Sequence, residues 1–294
     1  MAAAPFPICY LNGEFMPLNE ARISPLDRGF LFADSVYEVL PAFDGRMFRF
    51  REHFDRLERG LAETRIPAPL THAQWRDVLE ELIKRNGGGN MYLYAQVSRG
   101  AEFGRDHVFP AQVTPTVFAM ACPLPTLSQE ARENGLAAIT VEDFRWGRCD
   151  IKSTMLLANV LMKQQAKEAG AQEAIIVREG EVMEGASTSI FVVLDGALIT
   201  PPNSRRILPG TTRDAALDVI GTQFPVQIRK ISLDELRRAD EVWISAATRD
   251  VVPITRIDDR PVGNGKPGPR WQEVSAGFEA MRARLANTPS YDGP

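Results

Sequence analysis

Cysteine and histidine are both scarce in this chain of 294 residues. Its three cysteines, Cys9, Cys122 and Cys149, are far apart and form no Cys-x-x-Cys pair. That excludes a disulfide framework and argues against a structural zinc site, so reduced thiols are expected. No two of the three histidines, His53, His72 and His107, have the i, i+4 spacing of a helical metal pair, and no metal centre is expected. No apolar stretch approaches the roughly 20 residues of a membrane-spanning helix. Met1 to Pro7 carries no basic region followed by an apolar core, so a cytoplasmic protein without a membrane partner is expected. An excess of positive charge is missing too. Thirty-four Lys and Arg stand against 38 Asp and Glu, for a net charge of −4 without a basic cluster, which offers nothing to a nucleic-acid backbone. What is present is ordinary globular material, 44% hydrophobic and 24% charged, which excludes large-scale disorder and at this length favours two domains.

Asn12-Gly13 and Asp44-Gly45 tolerate the positive φ of tight turns. They predict hairpins from Ile8-Cys9-Tyr10-Leu11 and Glu14-Phe15-Met16, then from 36–43 and 47–50. A helix is expected over 51–64 with Phe54, Leu57 and Leu61 on one face. A second begins at the N-cap Thr71, with Gln74 three residues later and Trp75, Val78, Leu79 and Leu82 as its stripe. Strands are expected over 91–99 and 117–122, followed by the proline-rich Pro123 to Ser128. The boundary belongs there: a small domain over 1–122, a linker over 123–133 and a large domain over 134–294 that carries Lys152. Within the large domain a strand (136–144), a helix (153–169), strands over 174–200 turning at Glu179-Gly180 and Asp195-Gly196, a helix (212–220), strands (226–231, 241–247) and a terminal helix (270–285) follow. Hairpins outnumber βαβ units, which points to an α+β fold with mainly antiparallel or mixed sheets.

Four places could carry chemistry. Lys152 stands where an extended segment is expected to meet the helix with Leu156, Leu157, Val160 and Leu161; a buried lysine becomes a nucleophile toward aldehydes. Glu184 precedes the small hydroxyl residues Ser187 and Thr188, and a carboxylate beside a pyridine nitrogen keeps it protonated. Thr211 and Thr212 open a helix, whose N-terminus attracts phosphate. Arg56 lies off the centre of its apolar stripe and offers five donors. Alone, each has an ordinary reading as a solvated side chain, a polar turn or a helix cap.

Together and in this order they closely resemble the D-amino acid aminotransferases of fold type IV. Asp27-Arg28-Gly29-Phe30, Asp34-Ser35-Val36-Tyr37-Glu38-Val39, Glu52-His53-Phe54-Asp55-Arg56-Leu57, Arg148-Cys149-Asp150-Ile151-Lys152-Ser153 and Gly210-Thr211-Thr212-Arg213-Asp214 all look like signatures of that family. The resemblance implies a two-domain fold, a small α/β domain and a larger one with mixed sheets in a pseudo-barrel, with pyridoxal 5'-phosphate between them. It implies that Lys152 forms the Schiff base with the cofactor and moves protons, that Glu184 pairs with the pyridine nitrogen, and that Arg56, Thr211 and Thr212 hold the phosphate. Leu208 would pack on the ring, with Ser187 and Thr188 supporting that side. The family is dimeric, a loop of the second subunit completing each site.

Arg105-Asp106-His107-Val108-Phe109-Pro110 resembles the loop with which these enzymes bind the substrate α-carboxylate through the residues matching Arg105 and His107, assisted by Tyr37, with Val39 beside it. The implied reaction is ping-pong transamination between D-amino acids and 2-oxo acids such as 2-oxoglutarate or pyruvate. The fold also hosts (R)-amine and branched-chain L-amino acid transaminases and aminodeoxychorismate lyases. Departures from the pattern are a loop one residue longer at Gly100-Ala101-Glu102-Phe103-Gly104, Ser35 where glycine is typical, and Ser189 in place of a common asparagine.

Overall fold

A computed structural model of the chain describes residues 3–287 apart from 103, 113 and 222, and describes no side chains for 285–287. Phe103 of the lengthened loop and the end of the expected second domain, 288–294, lie outside the described residues. The chain divides into two compact units. The first comprises Met1–Leu124 with Ile151–Met155 and the chain from Arg284; the second comprises Pro125–Asp150 and Leu156–Ala283. The short segment that carries Lys152 therefore groups with the N-terminal strands and not with the residues that flank it in sequence.

The first unit contains β1 (Ile8–Leu11), β2 (Glu14–Pro17), α1 (Arg28–Phe32), β3 (Ser35–Phe43), β4 (Arg46–Met47), α2 (Phe50–Thr64), α3 (His72–Arg85), β5 (Met91–Ser98) and β6 (Thr116–Pro123). Its strands form a six-stranded sheet in the order β2-β1-β6-β5-β3-β4, and every pairing is antiparallel. The turn residues Asn12 and Gly13 take φ of 50° and 103°, the all-positive geometry that matches hairpin twist. The second hairpin is shorter than expected: β4 ends at Met47, and Arg49 adopts a left-handed φ of 54° that starts α2. Alternation along β5 buries Met91, Leu93, Ala95 and Val97, while α2 and α3 pack through Phe54 and Trp75, ring centroids 5.3 Å apart. Thr71 and Gln74 close the expected capping box on α3.

The second unit contains α4 (Gln129–Asn134), β7 (Leu136–Glu142), α5 (Leu157–Glu168), β8 (Glu173–Arg178), β9 (Glu181–Gly185), β10 (Ser189–Leu194), β11 (Ala197–Thr200), α6 (Thr211–Ile220), β12 (Val226–Ile228), β13 (Ile231–Ser232), α7 (Leu233–Arg237), β14 (Glu241–Ala246), β15 (Asp250–Ile257), β16 (Arg260–Pro261) and most of α8 (Pro269–Asn287). Its ten-stranded sheet runs β12-β11-β10-β14-β15-β7-β8-β9-β13, with β16 beside β15. The sheet is mixed: β7 pairs parallel with β8 and with β15, and β11 with β12. Ile175, Ile190, Val192, Ile199, Val242 and Ile244 form the centre of its core.

Three expectations need correction. The end of the stretch expected as a linker, 123–133, is helical, because Ser128 caps α4, which groups with the second unit. The strand β15 has no counterpart in the sequence reading. The helix expected over 153–169 begins only at Leu157, because Ser153 bridges Val36 and Thr154 N–H donates to the Ser35 carbonyl at 3.2 Å; tertiary strand pairing overrides local helix propensity. The apolar residues expected on that helix are exposed: Leu157, Val160 and Leu161 keep 72%, 59% and 49% of their surface, while Met162 and Ala166 are buried.

Candidate active site

Lys152 owes its place to β3. Tyr37 N–H donates to the Lys152 carbonyl at 2.9 Å, which lays the extended segment along the strand and leaves the lysine half-buried. Its Nζ lies 4.3 Å from the centroid of the Tyr37 ring, a cation–π distance. Among the described residues it has neither a carboxylate nor a hydrogen-bond acceptor. Tyr37 in turn stacks on Tyr94 at 5.4 Å, whose hydroxyl donates to Gln96 Oε1 at 2.5 Å. Burial pushes the Tyr94 hydroxyl pKa well above its usual value, so it stays a neutral donor. Val39 is half-buried and pairs with Tyr94 across the sheet.

Glu38 falls on the other face of β3, the face that buries Val36 and Leu40. Its carboxylate is fully buried, and it accepts from Arg56 Nε at 2.7 Å, Arg56 Nη2 at 2.8 Å and His53 Nδ1 at 2.8 Å. His53 and Arg56 are three residues apart and therefore neighbours on one face of α2. Burial works to raise the Glu38 pKa, but the charge and hydrogen bonds of Arg56, helped by His53, bring it down to about 2. Burial, opposed by Glu38 and reinforced by the charges of Arg56 and Lys152, lowers the pKa of His53; the imidazole is neutral, with its proton on Nδ1. Arg56, read from sequence as a phosphate ligand, thus presents two of its nitrogens to Glu38.

Arg105 and His107 are exposed on the loop after β5. Buried Arg28 holds that loop by its backbone, donating from Nη1 to the carbonyls of Asp106 at 2.6 Å and Val108 at 3.3 Å, and from Nη2 to that of His107 at 3.2 Å. Asp34 fixes Arg28 and Arg99 together, at 2.9 Å and 2.7 Å. The Arg99 guanidinium also lies 3.7 Å from the centroid of the Phe109 ring. Arg105 and His107 both approach Phe32, at 5.1 Å and 5.2 Å from its ring centroid.

In the second unit Glu184 lies buried near the end of β9. It accepts from the Leu208 N–H at 3.1 Å and from Arg145. Burial raises its pKa, Arg145 draws it down, and the balance is about 6. Thr188 Oγ1 donates to buried Glu173 at 3.3 Å, and Lys163 reaches Glu173 at 2.8 Å; Ser187 is exposed. Thr211 and Thr212 are buried at the start of α6, where Gly210 supplies no side-chain cap. A Cβ on Gly210 would collide with Ser189 Oγ.

Each of these groups suits one part of a phosphorylated pyridine aldehyde. A ten-residue helix whose N-terminus lacks a side-chain cap, in the close-packed cradle at Gly210, suits a phosphate. A buried carboxylate suits a ring nitrogen, and a lysine without a carboxylate partner suits an aldehyde. The sequence reading assigned no role to Glu38, His53, Arg145, Asp143 or Glu173. A signal existed for one of them, since Glu38 is an acid at an inward position of an alternating strand between Val36 and Leu40.

Residues 35–257 match the family Amino-transferase class IV. The chain belongs to that family, and it is an aminotransferase whose cofactor is pyridoxal phosphate. It is 40% identical over 271 residues to the D-alanine aminotransferase of Staphylococcus haemolyticus, covering 92% of this chain and 95% of that one. It is 39% identical over 269 residues to that of Bacillus licheniformis, covering 91% and 94%. Among solved structures it resembles the T.th. branched-chain amino acid aminotransferase with pyridoxamine 5'-phosphate, with a TM-score of 0.88, 28% identity and coverage of 98% and 97%. The branched-chain enzyme of Escherichia coli gives a TM-score of 0.85, 25% identity and coverage of 94% of each chain. Among the described residues no helix is long and apolar enough to cross a membrane.

Proposed function

We propose that the chain transfers the amino group of D-amino acids, D-alanine among them, to 2-oxo acids such as 2-oxoglutarate or pyruvate in two alternating half-reactions, acting as a homodimer in the cytoplasm. The observation that carries this reading is the placement of Lys152, an amine held against the Tyr37 ring with no carboxylate partner among the described residues, in a chain 40% identical to a D-alanine aminotransferase. Lys152 anchors the cofactor and moves the substrate α-proton through Nζ. When bound, the cofactor supplies an electron-withdrawing pyridinium ring. Glu184 holds the ring nitrogen protonated, Leu208 packs against the ring, and Ser187 and Thr188 support that side. Thr211, Thr212 and Arg56 hold the phosphate, Arg56 oriented for it by the Glu38 fork.

Arg105 and His107 bind the substrate carboxylate, with Tyr37 and Val39 beside it. A charge-assisted contact to that group fixes which face of the α-carbon meets the lysine. The exposed apolar residues Leu157, Val160 and Leu161 on α5, and Phe30 and Val108 in the first unit, support association of two copies. The test is a half-reaction titration, following the cofactor absorbance with D-alanine, L-alanine and L-leucine. Conversion by D-alanine alone is expected. Conversion by L-leucine and not by D-alanine would transfer the assignment to branched-chain L-amino acids, the solved relatives being branched-chain amino acid aminotransferases.

A further inference from the structure

Glu184 sits at one end of a buried row of alternating charges in the second unit. Arg178 Nη2 reaches Asp143 at 2.8 Å. Asp143 takes a two-pronged contact from Arg145, through Nε at 3.0 Å and Nη2 at 3.0 Å, and Arg145 Nη1 meets Glu184. Nη2 also donates to the Arg206 carbonyl at 3.1 Å, so all three nitrogens of the guanidinium are placed. Side-chain exposure is 6% for Arg145, 0% for Asp143 and 8% for Glu184, and only Arg178, at 20%, approaches solvent. Among the described residues Cys149 is a further titratable neighbour, whose thiol is pushed up by burial and stays neutral.

From this row we propose that Arg145 is a positioning residue for the reaction: it holds Glu184 ionised and orients its carboxylate so that the residue can keep a pyridine nitrogen protonated. The proposal rests on the reading of Glu184 as the partner of the cofactor ring. A carboxyl group taken out of water would keep its proton and could no longer stabilise a pyridinium. Arg145 opposes that cost, and Asp143 keeps Arg145 from neutralising Glu184 completely. Leu208, whose N–H bonds Glu184, fixes the carboxylate from the other side.

The test uses the purified chain with three variants, Arg145→Met, Arg145→Lys and Glu184→Gln. The first readout needs no cofactor: the infrared carboxyl band of Glu184 in the apoprotein, identified by its loss in Glu184→Gln. It should titrate at about 6 in the parent and about one pH unit or more higher in Arg145→Met, with Arg145→Lys between the two. The second readout is the dissociation constant for pyridoxal phosphate beside that for its carbocyclic analogue, in which C–H replaces the ring nitrogen. Arg145→Met should weaken the cofactor about tenfold more than the analogue, a discrimination that a merely structural loss would not produce. An unshifted band, or equal weakening of both compounds, overturns the proposal. If Glu184→Gln also fails to discriminate, the assignment of Glu184 to the ring falls with it; if Glu184→Gln discriminates and Arg145→Met does not, only the role of Arg145 falls. Should Arg145→Met not fold, Asp143→Asn gives the opposite shift, a band that titrates lower because Arg145 is released to Glu184, and no shift there overturns the proposal equally.

Discussion

Replacing Glu38 by glutamine keeps the shape of the side chain and removes a charge that two partners share. Arg56, with only 9% of its side chain exposed, would then keep a buried charge facing a neutral amide. Two routes give the size of the effect. Glu38 is lowered from 4.5 to about 2 in the folded chain, which by linkage is worth about 3 kcal/mol at neutral pH. Removing one partner of a buried ion pair independently costs about 3–5 kcal/mol. Because the folded value lies below the unfolded one, this stability is fully present above about pH 4.5 and is lost as pH falls toward 2. His53 adds to the same trend: its folded pKa is lowered, so the unfolded chain takes up a proton first and stability falls as the pH drops below the ordinary histidine value. Thermal unfolding of the apoprotein between pH 7 and 3 measures both. At neutral pH the variant should melt roughly 6–12 °C lower, at about 2–4 °C per kcal/mol for large chains, and its melting point should fall less with acid. Adding Arg56→Met should restore part of the loss by removing the cation that faces the amide. A Glu38→Gln protein that melts within about 2 °C of the parent, with the same acid dependence, would contradict this account, since 2 °C is at most about 1 kcal/mol.

Lys152→Ala should abolish transamination and the Schiff-base absorbance while the apoprotein melts as the parent does; turnover that survives would remove Lys152 from the chemistry. Arg105→Ala should raise KM for D-alanine by about 10–100-fold, the loss of a charge-assisted contact worth about 1.5–3 kcal/mol, and an unchanged KM would show that the carboxylate binds elsewhere. Leu157→Glu with Val160→Glu should shift the protein toward monomer in sedimentation, because both side chains are exposed on α5; an unchanged sedimentation coefficient would place the interface on another face.

Much of the fold can be read from sequence because its signals are local. Asn-Gly and Asp-Gly pairs mark hairpins, Thr71 with Gln74 marks a helix start, and the motifs around Arg56, Lys152, Glu184 and Thr211 stand in the family's order. The misplaced helix start at 153 had the opposite cause, the pairing of Ser153 and Thr154 with Val36 and Ser35, which are distant in sequence. The apolar spacing of Leu156, Leu157, Val160 and Leu161 is helical, but periodicity reports which residues share a face and not whether that face is covered. Here the face is exposed in the chain.

Local turn signals were enough to give the hairpin-rich architecture, and the order of the motifs was enough to place the chain by resemblance in its family, with the cofactor chemistry that the resemblance implies. Which groups those residues answer to emerged only in the folded chain. Glu38 meets Arg56 18 positions away, Glu184 meets Arg145 at 39, and Arg28 holds the backbone of a loop nearly 80 residues on. Ion pairing of this kind depends on distance in space and on exclusion of water, and no short stretch of residues specifies either.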